Sequence, residues 1–398
     1  MIVIVEIKIN YMRGASMSIL GHNTEKINKN SLVDKSSTGK ERPWKMNKKN
    51  STLLSESFRR IGKEKRANRV SECGDFLQFV VCPNGHEKFL RKANFCGVRL
   101  CPMCGWRRSL KAYHQVNKVA HEANKKIKMR WLFLTLTCKN VEGYELPNQF
   151  DELSKSWKRL TELKAFKGSI LGFFRATEVT RDKNFFITEE RYKDAKKYYD
   201  GMFLKSGNEN PNYNTYHPHF HVLLAVQPSY FSGKKYIKIA DWVKMWRKSM
   251  RLDYDPIVHI EVVKSKRDKK MEEKILNEKG MTVEIENLPG ESIAEIAKYA
   301  TKADDFILPN NKIETDEAVQ ILDASLRGRK LFAYGGVLKD VYDYLRKNGT
   351  VTDVEAEDTD LIHTEEKEEK NCKCSHCESN FLEVIYRWLP ERKNYYLF

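Results

Sequence analysis

The chain has 398 residues, enough for one sizeable core and one or two small modules. Lys and Arg number 71 against 54 Asp and Glu, a net charge of +17 that suits a polyanionic partner, because neutralising phosphates releases condensed counterions. No stretch approaches the ~20 consecutive apolar residues of a spanning helix, residues 1–9 are too short and acid-interrupted for a secretory core, and neither terminus carries a basic amphipathic helix, so a soluble, cytoplasmic chain with no membrane partner is expected.

In chain order, residues 1–70 are polar and rich in Lys and Asn, which predicts a basic, mostly disordered arm able to lie along DNA. Residues 71–128 predict a Cys-rich module and a linking helix, since Trp106, Leu110, Tyr113, Val116, Ala120, Ala123 and Ile127 recur at helical period. Residues 131–138 alternate as a strand, Phe150, Leu153, Trp157, Leu160, Leu163 and Phe166 mark a helix, and residues 170–180 form a second strand. A histidine-bearing strand follows at residues 217–226, and another at 256–264. Two charged insertions, 181–216 and 265–289, read as loops or partly helical hairpins. Residues 129–350 are therefore expected to form the main domain, an α+β fold with a central antiparallel sheet and flanking helices, closed by a helix over 337–347. Residues 351–371 read as an acidic solvated linker, and 372–398 as a Cys- and aromatic-rich terminal segment that docks back or meets a partner.

Nine cysteines are present, five of them between Cys73 and Cys104. In a cytosolic chain such clustering argues for metal rather than disulfides. Cys101-x2-Cys104 turns two thiolates toward one tetrahedral ion, so a structural Zn²⁺ is expected on Cys96, Cys101 and Cys104 with Cys82 or Cys73; His86 is a further candidate. Cys372, Cys374 and Cys377, with His376 nearby, offer ligands for a second site. Cys138 reads as a small buried hydrophobe.

The stretch His217-Pro218-His219-Phe220-His221-Val222-Leu223-Leu224-Ala225-Val226 carries the most chemistry. Side chains alternate across a strand, so His217, His219 and His221 share one face while Phe220, Val222, Leu224 and Val226 face the core. A lone histidine at a strand edge means little; three in alternation on an apolar strand point to a metal site. Downstream, the segment 291–302 reads as a helix on which Glu295 and Tyr299 are i,i+4 neighbours, with Lys302 one further turn along.

These elements together resemble the plasmid rolling-circle replication initiators of the HUH endonuclease superfamily, named for two histidines flanking a hydrophobic residue. The likeness runs through Phe133-Leu134-Thr135-Leu136-Thr137, the histidine strand and the Glu295/Tyr299 helix. It extends to the Cys-rich segment 96–108 and to Arg327-Gly328-Arg329-Lys330 with Gly335-Gly336. The resemblance implies the single-Tyr/Glu branch: Tyr299 attacks a phosphodiester of single-stranded or extruded origin DNA, leaving a 5′-phosphotyrosine and a free 3′ hydroxyl. Glu295 activates water for the terminating cleavage. His219 and His221 would hold Mg²⁺ or Mn²⁺, with Glu178 on a neighbouring strand as third ligand and His217 as a further ligand or supporting group. Lys298 and Lys302 would contact phosphate, and a host helicase and polymerase would be partners.

Three other functions compete. A relaxase or transposase would share the chemistry without the Cys-rich segment. A non-catalytic zinc-dependent DNA-binding regulator would need the cysteines and the charge, but not the histidine strand. A metallohydrolase using the three histidines would not depend on Tyr299.

Overall fold

The computed structural model describes residues 31–36, 39–263, 290–297, 301–364 and 373–398. Its strands are β1 Phe76–Val81, β2 Lys88–Ala93, β3 Arg130–Leu136, β4 Ile170–Arg181, β5 Tyr216–Val226, β6 Val258–Val262, β7 Phe332–Gly336, β8 Leu382–Leu389 and β9 Asn394–Leu397. The fold is α+β, but with two antiparallel sheets where one was expected: a four-stranded sheet in the order β2-β1-β8-β9 and a five-stranded one in the order β6-β3-β5-β4-β7.

The five-stranded sheet is buried on both faces, which explains why β5 ends in a continuous apolar run rather than an alternation. Phe220, Val222, Leu224 and Val226 join Leu132, Leu134 and Leu136 of β3 in one core. Leu153, Trp157 and Leu160 of the helix Leu146–Glu162 and Trp242 and Trp246 of the helix Ile239–Met250 cover them. On the other face, Leu223 and Ala225 join Trp131, Phe133 and Phe174. There the cover comes from the helices Pro102–Lys126, Gly290–Ile296 and Val337–Lys347. The histidine positions lie along this second face, so the sheet hands them to the same side as the helix that carries Glu295.

β7 closes one sheet edge through two glycines. A Cβ on Gly335 would enter the Phe173 ring, and one on Gly336, at φ +56°, would collide with the Leu171 carbonyl oxygen. We expect Gly336→Ala to destabilise the fold by about 2 kcal/mol or more, since backbone strain and overpacking add there. Urea unfolding followed by circular dichroism measures it, and an unchanged midpoint would show that the edge can relax. Arg329 holds the preceding turn: it is ion-paired with Asp151 and donates to the Ser325 and Pro147 carbonyls at 2.6 and 2.9 Å.

Two sequence expectations are corrected and a third is narrowed. The arm is helical from residue 44, with helices Trp44–Arg60 and Glu64–Ser71. Its polar composition hides a packed face: Lys48 donates to the carbonyls of Ser71 and Cys73 at 2.6 and 3.0 Å, and Ser55 donates to that of Ala67 at 2.8 Å. The acidic linker is packed as far as residue 364, because Glu355 accepts from the Leu331 and Phe332 N–H groups at 2.8 and 3.1 Å. Arg107 and Lys111 grip the carbonyls of Leu361 and Asp360 in the same segment, each at 2.8 Å. The terminal segment docks back, one of the two readings its composition left open: β8 pairs with β1 and completes the sheet of the Cys-rich module. Residues 1–30 and the insertion from 265 to 289 lie outside the described residues. Among those described, no helix is long and apolar enough to cross a membrane.

Candidate metal centre and cysteine clusters

Strand register assembles the centre. In antiparallel pairing, directly opposed residues project to the same side, and β5 sets His219 opposite Glu178 of β4 and His221 opposite Thr135 of β3. The ligand atoms converge: Nε2 of His219 and Nε2 of His221 are 3.2 Å apart, and Glu178 Oε2 is 3.8 and 3.1 Å from them. All three residues are largely buried on rigid strands, so their positions are fixed before any ligand arrives.

Hydrogen bonds on the far side of each ring orient it. His219 Nδ1 is 2.9 Å from the His217 carbonyl, which can only accept, so the hydrogen sits on Nδ1 and Nε2 presents a bare lone pair. His221 Nδ1 is 3.1 Å from Thr135 Oγ1, which can accept or donate. Its Nε2 can therefore donate to Glu178 or turn bare toward a cation. Phe133, two residues before Thr135, stacks on the His221 ring at 5.4 Å between centroids.

Electrostatics match this geometry. Burial pushes the His219 pKa down, aided by the neighbouring His221, which keeps the imidazole neutral near pH 7. Burial opposes ionisation of Glu178, but the hydrogen bond from His221 and the charges of His219, His221 and Lys302 outweigh it and hold the carboxyl below its usual range. A neutral imidazole beside a carboxylate is the state a divalent cation requires.

His217 shares the face but not the convergence. Its Nδ1 meets Asn140 Oδ1 at 2.9 Å, and its backbone carbonyl is what holds His219. Lys302 reaches within 3.6 Å of Glu178 Oε1 while its side chain stays half exposed. Glu295 lies in the helix Gly290–Ile296, whose Ile293 and Ile296 are buried on the histidine face. Lys298 and Tyr299 lie outside the described residues. Sequence reading missed Asn140 and Asp305. Burial pushes the Asp305 carboxyl up to about 6 against the pull of Lys302 and Lys183, and its Oδ2 has no hydrogen-bond partner among the described residues. Asp305 sits on the short helix Ala303–Phe306, where no pattern of spacing marks it.

The cysteines separate into two clusters. Cys73, Cys96, Cys101 and Cys104 come together, with Sγ atoms of Cys73 and Cys104 3.5 Å apart and those of Cys96–Cys104 and Cys73–Cys101 3.6 Å apart. Four thiolates around one ion at ~2.3 Å stand about 3.8 Å from one another, so this group could hold a tetrahedral metal. Ser51 of the amino-terminal helix approaches Cys101 Sγ at 3.4 Å. Cys82, a candidate for the same site, is elsewhere: it groups with His86, Cys374 and Cys377. Cys73 and Cys82 flank β1, and a six-residue strand carries its ends roughly 20 Å apart. Cys372 lies outside the described residues. Cys138 is buried, as expected.

Residues 87–396 match the family model described as Replication protein, most of the chain and every element of the metal centre. The chain belongs to the Replication protein family. A "Protein rep" of Bacillus amyloliquefaciens is 37% identical over 92% of this chain and 97% of its own length. One from Lentilactobacillus hilgardii is 33% identical over 93% of this chain and 100% of its own, and a "Replication protein" of Staphylococcus aureus is 31% identical over 70% and 95%. No solved structure matches. Membership makes the chain a plasmid replication initiator, in line with the resemblance read from its motifs.

Proposed function

We propose that this initiator starts rolling-circle replication as a metal-dependent endonuclease of the HUH type. It would nick and rejoin one strand of the plasmid's double-strand origin through a 5′-phosphotyrosine at Tyr299. One observation carries this reading: two imidazole Nε2 atoms and a carboxylate converge on one side of a rigid strand, each histidine oriented from behind. The mixed nitrogen and oxygen donors suit Mn²⁺, and Mg²⁺ with more water in its shell. When bound, such a cation polarises the scissile phosphate and disperses charge on its oxygens.

The chain's own residues supply the rest. A tyrosine hydroxyl, with pKa ~10, is a weak nucleophile at neutral pH and needs a phosphate held in line. The Tyr299 oxygen bonds to phosphorus, the bond to the 3′ oxygen breaks, and the freed 3′ hydroxyl is what a polymerase extends. Glu295 takes a proton from water in the terminating cleavage. Support for the tyrosine comes from its flanks: Ala297 is buried, and Lys302 lies beside Glu178. Three residues of chain reach at most ~11 Å from Lys302. Lys298 and Lys302 are the phosphate contacts. A tyrosine acting from beside a sheet needs an exposed phosphate, so the substrate is a single strand or extruded hairpin, with a host helicase opening the duplex. Cys73, Cys96, Cys101 and Cys104 hold a structural Zn²⁺ that organises the amino-terminal half.

The test is cleavage of a labelled single-stranded origin oligonucleotide with Mn²⁺ or Mg²⁺, followed by a search for a denaturant-resistant protein–DNA adduct. Full cleavage in chelator would sink the reading. A finer expectation concerns Thr135. Thr135→Val keeps the shape but removes the oxygen behind His221, so the half-saturating Mn²⁺ concentration should rise about 10- to 100-fold while the rate at saturating metal changes little. Thr135→Ser should behave as wild type. An unchanged metal titration in the valine variant would show that the hydroxyl does not orient the ring.

A further inference from the structure

The second cysteine cluster is used by none of the nicking chemistry. It is built from two tight turns far apart in sequence. In the first, which joins β1 to β2, Cys82 N–H donates to the Glu87 carbonyl at 2.8 Å, and Gly85 N–H donates to that of Cys82 at 2.9 Å, with Gly85 at φ +76°. This turn presents Cys82 and His86. In the second, Cys374 N–H donates to the Ser379 carbonyl and Glu378 N–H to that of Cys374, both at 2.9 Å, with Glu378 at φ +57°. It presents Cys374 and Cys377.

The turns face each other. Cys82 Sγ is 3.5 Å from Cys377 Sγ, 295 residues later, and 3.6 Å from His86 Nδ1, which is 3.8 Å from Cys374 Sγ. All four ligand atoms lie within 4.8 Å of one another. N–H groups are aimed at the sulfurs: His376 N donates to Cys374 Sγ at 3.4 Å, and Asn84 Nδ2 donates to Cys377 Sγ at 3.3 Å. Such donors stabilise thiolate over thiol. The Glu87 carboxylate latches the turns by accepting from Ser375 N–H and Oγ–H at 2.9 and 3.0 Å. His376, the histidine nearest these cysteines in sequence, is not part of the group; its ring stands 5.6 Å from that of His86.

We propose that Cys82, His86, Cys374 and Cys377 form a second structural zinc site, which fastens the carboxyl-terminal strands to the amino-terminal hairpin. Three thiolates and one imidazole are a tetrahedral zinc donor set. The placement has a mechanical sense. β1 starts three residues after Cys73 and ends at the residue before Cys82; β2 starts two residues after His86 and ends three before Cys96. The hairpin is thus clamped at its open end by the four-cysteine cluster and at its turn by this one, and β8, the strand beside β1, is tied in through Cys374 and Cys377. Earlier in the chain than Cys374, Arg107 and Lys111 hold the Leu361 and Asp360 carbonyls against the helix Pro102–Lys126.

The proposal does not rest on the nicking mechanism, and metal analysis tests it separately. Full-length protein purified without chelator should carry two equivalents of zinc. Cys374→Ser/Cys377→Ser should carry one, keep its circular dichroism spectrum, and be cut by trypsin within its last residues many times faster than wild type. Zinc content undiminished in that double variant would overturn the proposal, as would a Cys82–Cys377 disulfide in the purified protein. A second variant covers the case in which the double mutant fails to fold. His86→Cys should keep two metals, and in cobalt-substituted protein it should raise the thiolate-to-metal absorption by one ligand's worth. An unchanged cobalt spectrum would place His86 outside the site and refute the assignment.

Discussion

His219→Ala and His221→Ala should each lower nicking of single-stranded origin DNA by about a thousandfold or more, because either change removes one of the converging Nε2 donors and leaves the phosphate unpolarised. Binding of the same oligonucleotide, measured in a gel shift, should persist, since the proposed phosphate contacts are lysines rather than the cluster. His217→Ala is the contrast: its ring lies outside the convergent group, and the contact that orients His219 comes from its backbone carbonyl, which the substitution keeps. That variant should lose less than about tenfold, the scale of a supporting group. Protons and the cation compete for the same lone pairs. The His219 pKa is depressed, so the ring is neutral above the ordinary histidine range and becomes protonated only as pH falls through its lowered value; activity should drop there and recover with added Mn²⁺. Equal losses in all three histidine variants would mean that the ligand set has been misread.

How much of this was legible in the sequence depended on whether neighbours in space were also neighbours in pattern. The histidine strand could be read because alternation fixes faces, and Glu178 because the resemblance implies a carboxylate on the strand beside it. The helix Leu146–Glu162 and the helix Pro102–Lys126 followed from apolar period. Thr135 lay within a matched motif, yet its contact with His221 depends on the β3–β5 register, which no single strand encodes. The cysteines failed in a different way. Spacing marks Cys101 and Cys104 as partners, but Cys73 and Cys82 look equivalent until β1 is known to separate them, and Cys374 and Cys377 join from nearly 300 residues away. The amino-terminal helix escaped because Lys48, Ser51 and Ser55 interrupt the apolar residues of its inward face, and their polar groups bond to carbonyls and sulfur. Hydrophobic period cannot register such a face.

Tyr299→Phe and Glu295→Ala should separate the two halves of the reaction. Phenylalanine keeps the ring but has no oxygen to bond to phosphorus, so neither cleavage nor a covalent adduct should form, while DNA binding and metal content stay at wild-type levels. Removing Glu295 leaves the nucleophile and the Glu178, His219 and His221 cluster in place. The first nick and the adduct should therefore appear at close to the normal rate. What fails is the last step, in which a carboxylate must take a proton from water so that the displaced strand is released. The initiator would then keep going, and replication in a cell extract should yield linear multimers longer than one plasmid unit. Glu295→Tyr sharpens the comparison: a second tyrosine can cleave but cannot deliver water, so it should restore strand transfer without restoring hydrolytic release. If Tyr299→Phe still forms an adduct, the nucleophile is another tyrosine; if Glu295→Ala terminates on time, the water is activated elsewhere, and Asp305, half-buried and raised to about 6 beside Lys302, becomes the group to change next.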